Sequence, residues 1–314
     1  MIKTVVSVGL PVDERMEINK NRLQPDVLTG QEKRICIVTG THGDELEGQY
    51  VCFEVQRRIR EHRDQLKGIV DIYPAVNPLG IDSITRGVPM FDLDLNRIFP
   101  GSEDGHMCEY AAYKVIQDIN GADCCIDIHA SNVFLREIPQ VRVSEQTAGR
   151  LLPLAKQLNV DYIWVHGAAT VLEATLAHSL NVRNVPTLVV EMGVGLRITQ
   201  EYGKQLTDGI FNLMIDLGIW DGERPKVKEP IVSTDGQVNF INAEASGIFV
   251  ASVQHWKHIH KGERIGDILD PLNGEIVVKV TAPCDGMLFT LREHPIVTVG
   301  SLIARILGGV TVDD

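Results

Sequence analysis

The sequence predicts an α/β protein in which a mostly parallel or mixed sheet, flanked by helices, precedes a small all-β domain. Near-continuous apolar segments alternate with amphipathic segments from residue 34 to about residue 217, which is typical of parallel strands covered on both faces. A charged, proline-containing segment follows Trp220, and beyond it short strand-like segments are separated by glycines. We therefore expect two domains, 1–225 and 226–314.

The elements of the first domain follow from the period of the apolar residues. The predicted strands span residues 34–40, 69–78, 124–130, 161–167 and 186–193. The predicted helices span residues 48–63, 109–119, 147–158 and 199–217. In the first helix Val51, Val55 and Ile59 recur at the spacing of one helix face.

The composition narrows the class of protein. The 314 residues are 44% hydrophobic, which argues against a disordered chain. With 30 basic and 42 acidic residues the formal net charge is -12, so no nucleic-acid partner is expected. No uncharged apolar run approaches the roughly 18 residues of a membrane helix, so no membrane partner is expected. Six cysteines without a CxxC pair favour reduced thiols in a cytoplasmic protein.

The first candidate site is the segment THGDELEG, residues 41–48, between the first predicted strand and the first helix. His42 and Glu45 lie three positions apart in it, a spacing at which an imidazole and a carboxylate can bind one cation. The same spacing recurs at His106 and at His260, so on pattern alone a capping or turn role is equally well supported. Only the first pair lies between a buried strand and a helix.

Two more polar residues lie at the ends of predicted buried strands. His129 ends the third strand and Glu191 lies near the end of the fifth. Sites in open α/β sheets form beyond the carboxyl ends of strands, so both residues are expected near His42 and Glu45. Two histidines and a glutamate leave a fourth ligand position for water, as in catalytic zinc sites. A carboxylate beside that water suits a general base.

Each of these residues also has a structural interpretation. A lone histidine at a strand end is more often structural, and a lone glutamate there more often just leaves the core. Asp127 precedes His129 by two positions, so both side chains point to the same face of the strand. Asp127 could orient the histidine or be an ordinary polar residue, and the two interpretations are equally supported.

A third cluster lies in the polar, turn-rich segment 85–101, which holds Arg86, Asn96 and Arg97. An arginine can bind a carboxylate with two hydrogen bonds or stabilise an oxyanion, and an Asn-Arg pair places several donors in a small volume. The alternative for each arginine is a surface salt bridge.

A resemblance to a known family rests on motifs that occur in order along the chain. They are THGDELEG, NPLG followed by TRG, DLNRIFPG, DIHA and VVEMG. In this order they resemble the succinylglutamate desuccinylase and aspartoacylase family of zinc-dependent deacylases, which are relatives of the zinc carboxypeptidases. The resemblance covers roughly residues 30–220 and implies a zinc carboxypeptidase-like sheet flanked by helices.

The resemblance also implies roles for the candidate residues. One Zn²⁺ per chain would be bound by His42, Glu45 and His129. Glu191 would be the general base and proton shuttle, and Arg86 would polarise the scissile carbonyl group.

The substrate's carboxylate would be held by Asn96 and Arg97. The chemistry implied is hydrolysis of a linear amide bond in a small N-acyl amino acid or related carboxylate. The first alternative is a zinc carboxypeptidase acting on short peptides, since the same groups serve both reactions. The second is a non-catalytic binding or assembly protein of the same fold.

The C-terminal region resembles the barrel-sandwich module of biotinyl and lipoyl carrier domains. PLNGE occupies the hairpin where a carrier lysine would lie, so we expect no biotin or lipoate and instead a covering or assembly role. The cluster His255, His258 and His260 could form a second metal site, but a solvated loop with incidental histidines is favoured. Exposed strand edges in this region are compatible with a homo-oligomer.

Overall fold

Four parallel strands form the middle of the protein, as the apolar alternation predicts. The computed structural model describes residues 1–167 and 173–309. In it β3 (Arg34–Thr39), β4 (Ile69–Tyr73), β5 (Cys124–His129) and β8 (Thr187–Gly193) lie in the order β4-β3-β5-β8. All three pairings between them are parallel, so their carboxyl ends meet at one edge of the sheet.

Antiparallel strands extend this parallel unit on both sides and make the sheet mixed. The hairpin of β1 (Ile2–Gly9) and β2 (Arg15–Leu23) pairs with β4. On the other side β6 (Leu135–Ser144) pairs antiparallel with β8, and β7 (Tyr162–His166) pairs parallel with β6. The hairpin and β6 are absent from the predicted elements. In β6 the charged residues and Pro139 interrupt the apolar pattern, and the register with β8 shifts around this proline.

Helices cover both faces of the sheet. Their bounds are α1 (Glu47–Glu61), α2 (Pro78–Ser83), α3 (Met107–Ile119), α4 (Glu145–Ala155), α5 (Leu176–Asn181) and α6 (Gln200–Asp216). Apolar side chains of α1, α4 and α6 pack in one core layer, and those of α3 and α5 pack in the other. The four longer helices match the predicted ones, whereas α2 and α5 have six residues each and are too short to show a helical period.

The C-terminal region is built from strands, as the glycine-separated segments predict. Its strands are β9 (Ile231–Thr234), β10 (Val238–Asn242), β11 (Gly247–Ala251), β12 (Lys257–Ile259), β13 (Arg264–Asp270), β14 (Glu275–Thr281), β15 (Gly286–Arg292), β16 (Ile296–Val297) and β17 (Leu302–Gly308). One separate sheet has the order β14-β13-β11-β16. The strands β15, β17 and β10 instead continue the large sheet, because β15 pairs antiparallel with β6.

The division of the chain at residue 226 stays a prediction. Residues 221–230 form neither helix nor strand, yet the β6–β15 pairing joins the two predicted domains by backbone hydrogen bonds. All six cysteines are free thiols. Within residues 1–167 and 173–309 no helix is long and apolar enough to cross a membrane.

Candidate active site

The turn between β3 and α1 places His42 and Glu45 at the carboxyl edge of the parallel strands. This turn packs directly against α2. A Cβ atom on Gly43 would lie 2.0 Å from the carbonyl carbon of Gly80, so a residue with a side chain would push the turn away from α2. Glycine at this position therefore sets how deeply the two candidate ligands enter the sheet edge.

His42, Glu45 and His129 form a buried group whose candidate ligand atoms lie within 4.8 Å of one another. The Nδ1 atom of His42 is 2.8 Å from Glu45 Oε1, and the Nδ1 atom of His129 is 2.9 Å from Glu45 Oε2. The Nδ1 atom of His42 is buried and makes no hydrogen bond within the described parts of the chain. Two imidazole nitrogens and a carboxylate converging on one point fit a divalent metal ion.

The outward-facing Nε2 atoms of both histidines meet carboxylates. The Nε2 atom of His42 is 3.0 Å from Asp94 Oδ1, and that of His129 is 3.2 Å from Asp127 Oδ2. A hydrogen-bonded carboxylate fixes the tautomer and the ring orientation of a metal-binding histidine. The contact between His42 and Asp94 is such a hydrogen bond, whereas Asp127 lies close to His129 without hydrogen-bond geometry. Both Nδ1 atoms face Glu45, and an orienting role for Asp127 stays a prediction.

Asp94 is absent from the predicted set, although the chain offers a signal for it. Its Oδ1 atom accepts the backbone N–H of Asn96 at 2.8 Å, and it occupies the N-cap position of the short 3-10 helix 95–97. An aspartate at an N-cap two residues before Asn96 marks a rigid turn. What the sequence could not reveal is that this turn lies beside His42.

The pKa values of the group reflect close contact between its charges. Burial by itself raises the pKa of the Glu45 carboxyl, but the close contacts of Glu45 with His129 and His42 outweigh it and lower that pKa to about 2. Glu45 is therefore ionised across the physiological range, which is the form that binds a metal ion.

The three residues predicted in segment 85–101 all line the same cavity, whose volume is about 910 Å³. The Arg86 guanidinium donates to Glu45 Oε1 at 2.9 Å. The Oδ1 atom of Asn96 accepts the Leu176 N–H at 2.9 Å, so its Nδ2 group is oriented as a donor. Arg97 donates to the Asn96 carbonyl oxygen at 2.9 Å and stays exposed. Donors therefore cluster on the cavity wall next to the candidate metal group His42, Glu45 and His129.

Glu191 lies directly beside His129, because the two residues are paired in register on β8 and β5. Burial raises the pKa of the Glu191 carboxyl, while the positive charge of Arg142 partly opposes that effect. The Nη1 atom of Arg142 is 3.5 Å from Glu191 Oε1. Arg142 lies on β6, which is not among the predicted strands, and for that reason Arg142 is not among the predicted site residues.

The C-terminal region supplies part of the cavity wall. Asp235, Phe240 and Arg305 line it together with Trp164 and other side chains of the larger sheet. The predicted covering role of this region is compatible with that position.

The other histidine cluster does not assemble a comparable site. The Nε2 atom of His255 is 2.8 Å from the Tyr202 hydroxyl group, and the rings of His258 and His260 meet edge to face at 5.0 Å. Within the described ranges, His42, Glu45 and His129 are the group of three candidate ligands that come together.

Comparison with known protein families shows which family the chain belongs to. A family model described as the succinylglutamate desuccinylase/aspartoacylase catalytic domain matches residues 31–217, which include every predicted site residue. The chain belongs to this family.

One relative covers most of the chain. An N-alpha-acetyl-L-2,4-diaminobutyric acid deacetylase from Halomonas elongata is 26% identical over 288 residues, which are 89% of this chain and 83% of the relative. Membership of this family and a deacetylase relative support hydrolysis of amide bonds.

Solved structures agree with the family fold. The product-bound ectoine utilization protein EutE (DoeB) from Ruegeria pomeroyi superposes with a TM-score of 0.80 at 20% identity, covering 96% of this chain and 92% of that one. A succinylglutamate desuccinylase from Silicibacter sp. TM1040 has a TM-score of 0.83 at 20% identity, covering 97% and 94%. Both coverages extend beyond the matched catalytic domain, so the fold of the C-terminal region is shared as well.

Proposed function

We propose that this protein is a zinc-dependent hydrolase that removes the acyl group from an N-acyl amino acid or a related small carboxylate. The observation that carries the proposal is the convergence of the His42 and His129 Nδ1 atoms on the two oxygens of Glu45, with Glu191 on the adjacent strand. A three-ligand site that leaves one position open is the arrangement of catalytic zinc, whereas structural zinc sites are closed by four protein ligands.

Each residue around the metal site has a separate role in amide hydrolysis. Zinc held by His42, Glu45 and His129 would supply Lewis acidity, which would lower the pKa of water toward neutrality and polarise a carbonyl oxygen. Glu191 accepts the proton of the attacking water and then donates it to the leaving amine. Arg86 stabilises the negative charge that develops on the carbonyl oxygen. Asp94 and Asp127 keep the two histidine rings in place throughout.

Substrate binding is assigned to the donors on the cavity wall. The Nδ2 group of Asn96 and the guanidinium of Arg97 would hold the carboxylate of the substrate. A cavity of about 910 Å³, walled in part by Phe240 and Arg305, has room for a small acylated amino acid. Because the Halomonas relative carries that name, Nα-acetyl-L-2,4-diaminobutyrate is the first substrate to test.

The experiment that tests the proposal is elemental metal analysis of protein purified without chelator. We expect about one zinc per chain, lost in His129→Ala. His260→Ala is a matched control, because His260 also precedes a glutamate by three residues but is exposed. Zinc retained by His129→Ala would contradict the metal site.

Glu191→Gln separates binding of the metal from turnover. The variant should keep zinc and lose most of its activity on Nα-acetyl-L-2,4-diaminobutyrate, since a general base contributes roughly 10²–10⁴-fold to a rate. Undiminished turnover would remove Glu191 from the mechanism while leaving the metal site intact.

A further inference from the structure

Arg305, on β17 of the C-terminal region, is connected to Glu191 through two side chains of β6. The Arg305 guanidinium donates to Glu137 Oε1. The Nη2 atom of Arg142 donates to both Glu137 oxygens, at 2.8 and 3.0 Å. The Nη1 atom of the same Arg142 is 3.5 Å from Glu191 Oε1. A continuous row of alternating charges therefore runs from β17 to the catalytic edge of the sheet.

Glu137 is the centre of this row and has no exposed surface. A buried carboxylate is tolerated only when cations and donors compensate it. Here Arg305 and Arg142 supply two positive charges, and the Gln140 side chain adds a hydrogen bond at 2.8 Å. The Trp164 ring lies 5.7 Å from the Arg142 guanidinium and 5.6 Å from that of Arg305. Both cations are thereby confined between an aromatic face and one carboxylate.

The arrangement makes the placement of Arg142 depend on Arg305. With both arginines present, Glu137 is compensated and one edge of the Arg142 guanidinium remains beside Glu191. Without Arg305, the whole charge of Glu137 would fall on Arg142. Because Coulomb attraction is strong in a buried site, Arg142 would then move toward Glu137 and away from Glu191.

We infer that Arg305 is a positioning residue for Glu191, acting through Glu137 and Arg142. The inference rests on the proposed function, which assigns Glu191 as the general base. It gives the C-terminal region a role beyond covering the cavity, because the region supplies the cation that fixes the surroundings of the base. Arg305 need not touch the substrate for this role.

The first test is steady-state kinetics of the full-length zinc-loaded protein with Nα-acetyl-L-2,4-diaminobutyrate. Arg305→Met should lower kcat by about tenfold with little change in KM and in zinc content, a size typical of mutations that act through a network. Arg305→Lys keeps the charge beside Glu137 and should restore most of kcat. A rise in KM with kcat unchanged would overturn the inference, since it would make Arg305 a substrate-binding residue.

Arg136→Met is the matched control. Arg136 also lies on β6 and also pairs with the C-terminal region, through Glu293 at 3.1 Å, but it does not line the cavity. It should leave kcat unchanged. If Arg136→Met lowered kcat as much as Arg305→Met, any loosening of the contact between β6 and the C-terminal region would slow the reaction. That result would overturn the positioning role of Arg305.

A double-mutant cycle tests the route. If Arg305 acts through Arg142, adding Arg305→Met to Arg142→Met should reduce kcat by less than about twofold. Independent, multiplicative losses would overturn the inference while Glu191 kept its role. Undiminished turnover in Glu191→Gln would instead overturn both the base assignment and this inference.

A crystal structure of zinc-loaded Arg305→Met tests the positioning inference independently of enzyme activity. The inference predicts that the contact between Arg142 and Glu191 is lost while that between Arg142 and Glu137 is retained. If neither Nα-acetyl-L-2,4-diaminobutyrate nor other N-acyl amino acids are hydrolysed, the proposed function fails, but this structure still tests the positioning role. An Arg142 guanidinium that stays beside Glu191 would overturn it.

Discussion

His42 Nε2 lies 3.0 Å from Asp94 Oδ1, and this carboxylate connects the candidate metal group His42, Glu45 and His129 to segment 85–101. The Oδ1 atom also accepts the Asn96 N–H, and the Oδ2 atom is 3.5 Å from the Arg86 Nη2 atom. One side chain thus sets the orientation of a candidate metal ligand and of the segment that carries the cavity donors. A displacement of His42 is therefore transmitted through Asp94 to the segment that contains Asn96, and a displacement of that segment is transmitted to His42.

Asp94→Asn should therefore weaken metal binding. The amide keeps the size of the side chain but loses the charge that orients the His42 ring, and loss of such partners typically costs 10–100-fold in metal affinity. The measurement is zinc affinity by competition with a chelator.

Asp92→Asn is the control for this prediction. Asp92 lies in the same segment, is exposed, and has a φ of 48°, a conformation that asparagine also tolerates. Equal zinc affinity in Asp94→Asn and wild type would show that Asp94 does not support the metal site.

Arg97→Met should raise KM for substrates with a free carboxylate by about 10–100-fold, because a hydrogen bond to a charged group is worth roughly 1.5–3 kcal/mol. Arg197→Met is a close match: each guanidinium donates to the carbonyl oxygen of the preceding residue, at 2.9 and 3.0 Å, but Arg197 does not line the cavity. A carboxamide analogue of the substrate should bind poorly to wild type and be insensitive to Arg97→Met. Equal KM increases in both variants would argue against carboxylate recognition by Arg97.

The parts of the site that the sequence reveals are those at the ends of strongly apolar strands. His129 and Glu191 follow runs in which a polar residue is conspicuous, so period and topology alone bring them to one edge. Glu137 and Arg142 lie on β6, whose charges face one another inside the protein. Buried charge pairs look like exposed ones in a sequence, because only the fold shows which charges compensate each other.

On the acid side of the pH–rate profile, activity should fall at a higher pH than it would for a general base with the pKa of an ordinary glutamate. Burial raises the pKa of Glu191 above its usual 4.5, and in the proposed mechanism Glu191 acts as a general base only when deprotonated. Activity should therefore fall as the pH drops through this raised pKa. Arg142→Met removes a cation that favours the carboxylate, so the acid side should move to still higher pH.

Arg142→Lys keeps the positive charge and is the control for the pH profile. The pH at which activity falls on the acid side should be closer to the wild-type value in Arg142→Lys than in Arg142→Met. An acid side that stays in place, or moves to lower pH, in Arg142→Met would show that Arg142 does not stabilise the ionised form of Glu191.

Asp71 should be a major contributor to stability, because it neutralises the buried Lys20 and the partly buried Arg22 on the neighbouring strand β2. It has no exposed surface, and its oxygens lie 3.1 Å from Lys20 Nζ and 2.7 Å from Arg22 Nε. Asp71→Ala leaves Lys20 buried beside one fewer carboxylate, and breaking a buried pair typically costs 3–5 kcal/mol. The measurement is the free energy of unfolding in urea.

Asp26→Ala provides the comparison for Asp71→Ala. Asp26 pairs with Arg63 at 2.7 Å, but the two side chains are 81% and 50% exposed, and an exposed pair is worth about 0–1 kcal/mol. Lys20 also contacts Asp118 at 2.5 Å, so a second variant, Asp71→Ala with Lys20→Met, should recover part of the lost stability by removing the uncompensated charge. If Asp71→Ala cost no more than Asp26→Ala, the buried charges would have to be compensated by Asp118 alone.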